Sequence, residues 1–253
     1  NGTKIDYDKA FECYKKSAEL GNSRALCNLG QCYQKGFGVE KDGGKAFELI
    51  SKSSELGNTT ALCNLALCYE KGKGVEKDYK KAIELYEKAA ELGSPTSLFN
   101  HAICYEKGKG VEKDIKKAIE LYEKAGELGY ASAYKNIALC YEKGKGIEKD
   151  YKKVIEYYEK AGELGNTGSM YNLANLYKRG EGVEKDIKKA IELYEKAGEL
   201  GHAVALHKLG NLYEHGVGVD VNLAKANEYY KKAESMGNQD TQDNEDAIMK
   251  IKE

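Results

Sequence analysis

Glycine recurs in this chain at a fixed step of 36 residues. Gly21, Gly57, Gly93, Gly129, Gly165, Gly201 and Gly237 form one ladder, and Gly36, Gly72, Gly108, Gly144, Gly180 and Gly216 a second, without insertion or deletion. A unit of this size is too small to bury its own apolar face, so copies must stack. Self-similarity at a period of about 20 to 50 residues therefore specifies a solenoid. Function in such an array lies on an extended surface.

The 253 residues are expected to form one domain whose size is set by unit number. Charged residues make up 32% of the chain and nearly cancel, leaving a net charge of -1. The basic excess that nucleic acid or an anionic membrane surface calls for is missing. No apolar run approaches the roughly 20 residues of a membrane span, and the N-terminus carries no signal-peptide core. The seven cysteines keep the repeat register, with Cys32, Cys68, Cys104 and Cys140 at one position and Cys27 and Cys63 at another. Equivalent residues of stacked helices stand about 8 to 10 Å apart, too far for a disulfide. They read as reduced, small core residues, which points to a reducing, cytoplasmic compartment.

One unit, Asn58 to Gly93, gives the architecture. Ala61, Leu62, Leu65, Ala66 and Tyr69 form a helical stripe, with Asn58 placed to cap this helix A and Gly72 to end it. In the next unit Ser94 and Pro95 read as an N-cap followed by proline at the first helical position. Asp78 caps helix B, whose buried stripe is expected to be Ala82, Leu85, Tyr86, Ala89 and Leu92, and Gly93 ends it. Small residues in register (Ala66 on A, Ala82 on B) let the helices approach. Tyrosine columns, Tyr69 and its copies on A and Tyr86 and its copies on B, fill the core between them.

The pattern Ala-Leu-x-x-Leu-Ala-x-x-Tyr, Lys-Gly-x-Gly-Val-x-x-Asp, Ala-x-x-x-Tyr-x-Lys-Ala-x-x-x-Gly resembles the Sel-1-like repeat family, relatives of the tetratricopeptide repeats. The resemblance covers a leading B helix (5–21) and six units, 22–57, 58–93, 94–129, 130–165, 166–201 and 202–237, with 238–253 left as a polar tail or cap. It implies an all-α, right-handed α/α superhelix of antiparallel helix pairs that acts as a scaffold or adaptor for proteins, without catalysis or cofactor. The family's cysteine-rich subgroup joins helix A to helix B by disulfides, and the cysteine this would need at the end of helix B is missing here. Asp42-Gly43-Gly44 is expected to loosen the start of one B helix, and Asp220 to Asn222 rewrites the last loop.

By the same resemblance, A helices line the concave side. The A face opposite the buried stripe carries an asparagine column, including Asn64, Asn100, Asn136 and Asn172, followed by Lys208. Flanking columns hold Cys27, Cys63, Phe99, Lys135, Tyr171 and His207, and Leu67, Ile103, Leu139, Asn175 and Asn211. These residues change from unit to unit, whereas outer B residues such as Lys80, Lys81, Glu84, Glu87 and Lys88 repeat as near-copies. Asparagine amides both donate to and accept from an extended peptide backbone, and the apolar strip beside them calls for a cover. The reading is a protein or peptide partner on this face. The alternative for the asparagines is bonding to one another or to the neighbouring helix.

Two rival functions are weighed. A secretory-compartment adaptor is supported by the sequons at Asn1 and Asn58 and opposed by the unpaired cysteines. An enzyme using His101 and Cys104, which share a helix face, lacks a third ligand or acid, and His101 is expected to be a hydrogen-bonded core histidine. The Gly-x-Gly turns recur in every unit and read as structural rather than phosphate-binding.

Overall fold

A computed structural model of the chain describes residues 6–144 and 146–249, and of 238–249 the helical backbone alone. The described residues form thirteen helices and no strand. They divide into two compact units, up to Tyr130 and from Ala131, although the sequence repeat crosses that point without interruption. The first unit holds α1 (Tyr7–Glu19), α2 (Ser23–Lys35), α3 (Gly43–Glu55), α4 (Thr59–Lys71), α5 (Tyr79–Glu91), α6 (Pro95–Lys107) and α7 (Ile115–Glu127). The second holds α8 (Ala131–Lys143), α9 (Tyr151–Glu163), α10 (Thr167–Arg179), α11 (Ile187–Glu199), α12 (Ala203–His215) and α13 (Leu223–Met249). Within each unit every A helix (even-numbered) packs against the B helix that follows it, and each B helix against the next A helix. This is an all-α solenoid of helix pairs on a 36-residue repeat.

The caps lie where the sequence puts them. Asn58 Oδ1 accepts from the Ala61 amide at 3.0 Å, and Asp78 Oδ1 from Lys81 at 3.0 Å. Ser94 caps α6, with Pro95 in its first turn. The aspartate has a second duty. Its own amide donates to the carbonyl of the tyrosine ending the preceding A helix, Asp78 to Tyr69 at 3.0 Å and Asp114 to Tyr105 at 3.1 Å, so one residue closes the loop and starts helix B. Asn222 does both jobs in the rewritten last loop. Asp42 also caps normally, and α3 begins at Gly43 with the same length as its copies, so the expected loosening does not occur. The reason is packing. Gly74, in the next loop, lies against the Gly43 backbone, as Gly38 lies on Tyr7, Gly110 on Tyr79 and, in the second unit, Gly182 on Tyr151 and Gly218 on Ile187.

Tyr86, Tyr122, Tyr158 and Tyr194 are fully buried at the centres of their helix pairs, among the small residues Ala66, Ala82, Ala102 and their copies. The B stripe needs one correction. Leu92 is 56% exposed, and Leu20, Leu56 and Leu128, with Leu164 and Leu200 in the second unit, are exposed likewise. Leu92 is the C-cap of α5, so the helical step that would bring it round to the stripe has already ended. Ile83, 8% exposed, takes up the burial instead. Leu92→Ser is accordingly expected to change unfolding free energy by no more than about 0.5 kcal/mol, whereas Ile83→Ala should cost about 2 to 5 kcal/mol. Urea titrations of the two variants check the ranking.

A second correction concerns the end of the chain. α13 runs through Gly237 to Met249 instead of stopping at the glycine. Thr241, Glu245 and Asp246 stand where an A helix would carry Ala, Leu and Ala, so this stretch has no apolar stripe to draw it back onto α13. The side chains of 238–249 and all of 250–253, which complete the tail, lie outside the described residues.

Candidate functional site

Of the sixteen A-face residues singled out from the sequence, Cys27 and Cys63 are buried and the other fourteen are not. Of these fourteen, His207 and Asn211 are exposed and twelve are half-buried. Helix geometry thus brings them to the surface of their units, although several are already engaged. In the first unit Asn64 Nδ2 donates to Cys27 Sγ at 3.4 Å, and Asn100 Nδ2 to Cys63 Sγ at 3.6 Å. Each amide reaches sideways to the thiol of the preceding A helix. Cys27 and Cys63, placed on the open flank by the helical wheel, are buried, and burial pushes both thiols up. Leu67 leans on the cluster around Ala66, Ala82 and Tyr86. The Phe99 ring lies 5.4 Å from Tyr122 and 4.8 Å from Tyr130, with Ile103 one turn further along α6.

In the second unit Asn172 Nδ2 donates to Tyr158 Oη at 3.3 Å. Tyr171 stacks on His202 at 5.0 Å and tilts against Tyr194 at 5.7 Å. Asn175 donates to the Tyr171 carbonyl at 2.9 Å and accepts the Tyr194 hydroxyl at 2.7 Å. Lys135, Asn136 and Leu139 share the half-buried face of α8. On α12 Lys208 is half-buried, the Asn211 carbonyl meets His215 Nδ1 at 2.9 Å, and the His207 ring lies 5.0 Å from Tyr230. The asparagines of the column are therefore partly spent on the fold, as the alternative reading of them had it.

The role of Asn175 follows from a network that the sequence reading missed. Buried B-helix tyrosines donate to a glutamate at the end of their own A helix: Tyr86 to Glu70 at 2.9 Å, Tyr122 to Glu106 at 2.8 Å, Tyr158 to Glu142 at 3.1 Å. Glu70 also takes Lys109 Nζ at 2.7 Å. Burial pushes the Glu70 carboxyl up, but the Lys109 ammonium and the Tyr86 hydroxyl outweigh it and hold the group below the usual carboxylate range. In α10 the glutamate is replaced by Lys178, and Tyr194 turns to Asn175, which stands where the three preceding repeats have Leu67, Ile103 and Leu139. Two departures from the repeat in one unit were the available signal.

The monotonous B face is not idle either. Lys81 Nζ lies 5.3 Å from the centre of the Tyr69 ring, Lys117 4.8 Å from Tyr105 and Lys153 4.7 Å from Tyr141. This lysine column covers the A-helix tyrosines of its own repeats by cation–π contact.

His101 and Cys104 both lie buried in the core of their unit. Cys104 is fully buried, and burial, with Glu70 adding to it, pushes the thiol up to about 11. His101 is 4% exposed, and burial, reinforced by Lys117, brings it down to about 4. Contrary to expectation its Nε2 has no hydrogen-bond partner, the nearest acid being Glu87 at 3.8 Å. Among the described residues no group of three or more His, Cys, Asp or Glu is gathered as a metal site, and no helix is long and apolar enough to cross a membrane. The Asn58 side chain of the second sequon is engaged as a cap.

Comparison with known proteins agrees with this geometry. None of the curated proteins compared with the chain matches it. Among solved structures, a Sel1 repeat protein from Oxalobacter formigenes is 31% identical, with 90% of this chain and 94% of that one covered at a TM-score of 0.75. The protein c5321, a protective antigen of uropathogenic Escherichia coli with this fold, is also 31% identical at a TM-score of 0.73. The match covers 90% of this chain but 49% of c5321, so the chain spans about half the length of that protein. The immunity protein Pa5087 of Pseudomonas aeruginosa, 22% identical over 85% of this chain and 81% of its own, shares the fold at a TM-score of 0.51. Sel1-repeat proteins are generally non-catalytic scaffolds for protein interaction. The Sel1 repeat matches seven successive segments, 1–22, 23–58, 59–94, 95–130, 131–166, 167–202 and 203–238, and the chain belongs to the Sel1 repeat family.

Proposed function

We propose that this chain is a non-enzymatic adaptor that binds an extended segment of a partner protein along the A-helix face of its repeats. The observation that carries the reading is the variety of that face, set against the near-copies on the outer side of helix B. One A-face position reads Cys27, Cys63 and Phe99 in the first unit and Lys135, Tyr171 and His207 in the second. Residues that only maintain the stack have no reason to differ between copies, whereas a surface reading a sequence does. The half-buried state of Leu67, Ile103 and Leu139 supports it, because apolar groups left partly in water gain from being covered. Donors and acceptors beside them serve a main chain.

A photo-crosslinking amino acid tests this. Placed at Ile103 or Leu139 it should capture a discrete partner from the source cell, and placed at Glu84 or Glu120 on the exposed outer side of helix B it should not. Capture from the outer positions alone would move function to the other face.

A further inference from the structure

On the A-helix face of the first unit, where α2 touches α4, a cleft of about 500 Å³ opens. It is lined by Arg24, Cys27 and Asn28 of α2, and by Asn58, Thr59 and Thr60 where α4 begins. Arg24 breaks the repeat. At its register the other units have Thr60, Thr96, Ser132, Gly168 and Val204, and the chain has only one other arginine, Arg179. That second arginine is paired, with Glu181 at 3.1 Å. Among the described residues Arg24 has no carboxylate partner, in a chain with 41 acidic residues, and none of the six lining residues is acidic.

The rest of the lining supplies hydrogen bonds and no counter-charge. Asn58 spends its Oδ1 on the Ala61 amide, which leaves its NH2 free to donate. Asn28, half-buried, has no side-chain partner among the described residues, and Thr59 and Thr60 bring hydroxyls. Cys27 is buried and already receives the Asn64 amide. One unpaired guanidinium within a ring of neutral donors matches a group with a single negative charge and two acceptor oxygens, since the guanidinium fork meets a carboxylate through two parallel bonds. The volume falls within the range of sites that hold small ligands or short peptide ends.

We infer that this cleft binds a carboxylate of the partner peptide, with Arg24 as its charged contact and Asn28, Asn58, Thr59 and Thr60 as neutral ones. The inference rests on the A-face reading and names the chemistry of one end of that surface. The carboxylate is either the C-terminus of the partner or an Asp or Glu side chain within it.

The test is an NMR titration of the 15N-labelled chain with four probes: N-acetyl-Gly-Gly-Gly with a free C-terminus, N-acetyl-Gly-Glu-Gly-amide, N-acetyl-Gly-Gln-Gly-amide and inorganic phosphate. Saturable shifts of the Asn28, Thr59 and Thr60 amides are expected with one or both carboxylate peptides and not with the glutamine peptide. The stronger of the two identifies the source. Arg24→Gln should weaken binding about tenfold or more, and Arg24→Lys less, because it keeps the charge and loses the fork. Arg24 is exposed, so both variants should fold. If Arg24→Gln nevertheless melts early, Thr60→Val, also at an exposed position, serves as the second variant and should weaken binding too. An equal response to the glutamine peptide, a response to phosphate alone, or undiminished binding by Arg24→Gln would overturn the assignment. Partner capture at Ile103 without carboxylate binding would remove this site and leave the A-face reading standing. Carboxylate binding without such capture would do the reverse.

Discussion

Gly74→Ala is expected to destabilise the chain by about 3 kcal/mol or more, and Gly93→Ala by about 1 to 2 kcal/mol. Both glycines have left-handed backbone, at φ 73° and 80°, so both substitutions carry the same conformational cost of placing a Cβ there. They differ in what that Cβ meets. At Gly93 there is nothing within 4 Å, whereas at Gly74 it would run into the Gly43 carbonyl and the Phe47 side chain of the preceding helix B. Backbone cannot step aside as a flexible side chain can, so α3 and the following loop must separate and the seam between two repeats opens. Urea midpoints of the two variants give the contrast directly. Equal midpoints would mean that the loop accommodates the methyl and that the close approach does not set the stacking distance.

That pair also shows what the sequence makes legible. Both glycine ladders announce a repeat, and the caps at Asn58, Asp78 and Ser94 follow from local chemistry within a few residues, so helix boundaries are readable from one strand of text. What Gly74 does depends on Gly43, a residue 31 positions away in the preceding repeat, and no local rule reaches that far. The same limit applies to the tyrosines. Their columns are visible as a period, but the partner of each hydroxyl, Glu70 for Tyr86 and Asn175 for Tyr194, depends on how A and B pair in space. On the A face a helical wheel puts the asparagines outward and they are indeed unburied, yet a wheel describes one isolated helix. It omits the neighbour whose Cys27 or Cys63 thiol takes up the amide. Leu92 fails in the opposite sense, because the wheel was continued one step past the last helical residue.

His101→Leu is expected to stabilise the chain at neutral pH and to do so increasingly as the solution is acidified. At the equivalent position the other A helices have Leu29, Leu65, Leu173 and Leu209, or Ile137, so the site is shaped for an aliphatic side chain of this size. At pH 7 the histidine is neutral, but its buried Nε2 lacks a partner. Removing that atom should return about 1 to 3 kcal/mol. Below pH 7 a second effect adds. Burial and then Lys117 hold the folded-state imidazole down to about 4, whereas an unfolded histidine titrates near 6.5. Between those values the unfolded chain binds a proton that the folded chain refuses, so stability is lost as pH falls from about 6.5 towards about 4, and the loss stops growing below that. The full difference amounts to about 3 kcal/mol. Carboxylates such as Glu70 titrate in the parent and the variant alike and cancel in the comparison. The gap in unfolding free energy between His101→Leu and the parent should therefore widen from pH 7 through 5.5 to 4.5. If the two curves instead run parallel, the imidazole has found a stabilising partner for its proton. The group placed to act in that way is Glu87, whose carboxylate, 3.8 Å away and 55% exposed, would then have to leave water to hold it.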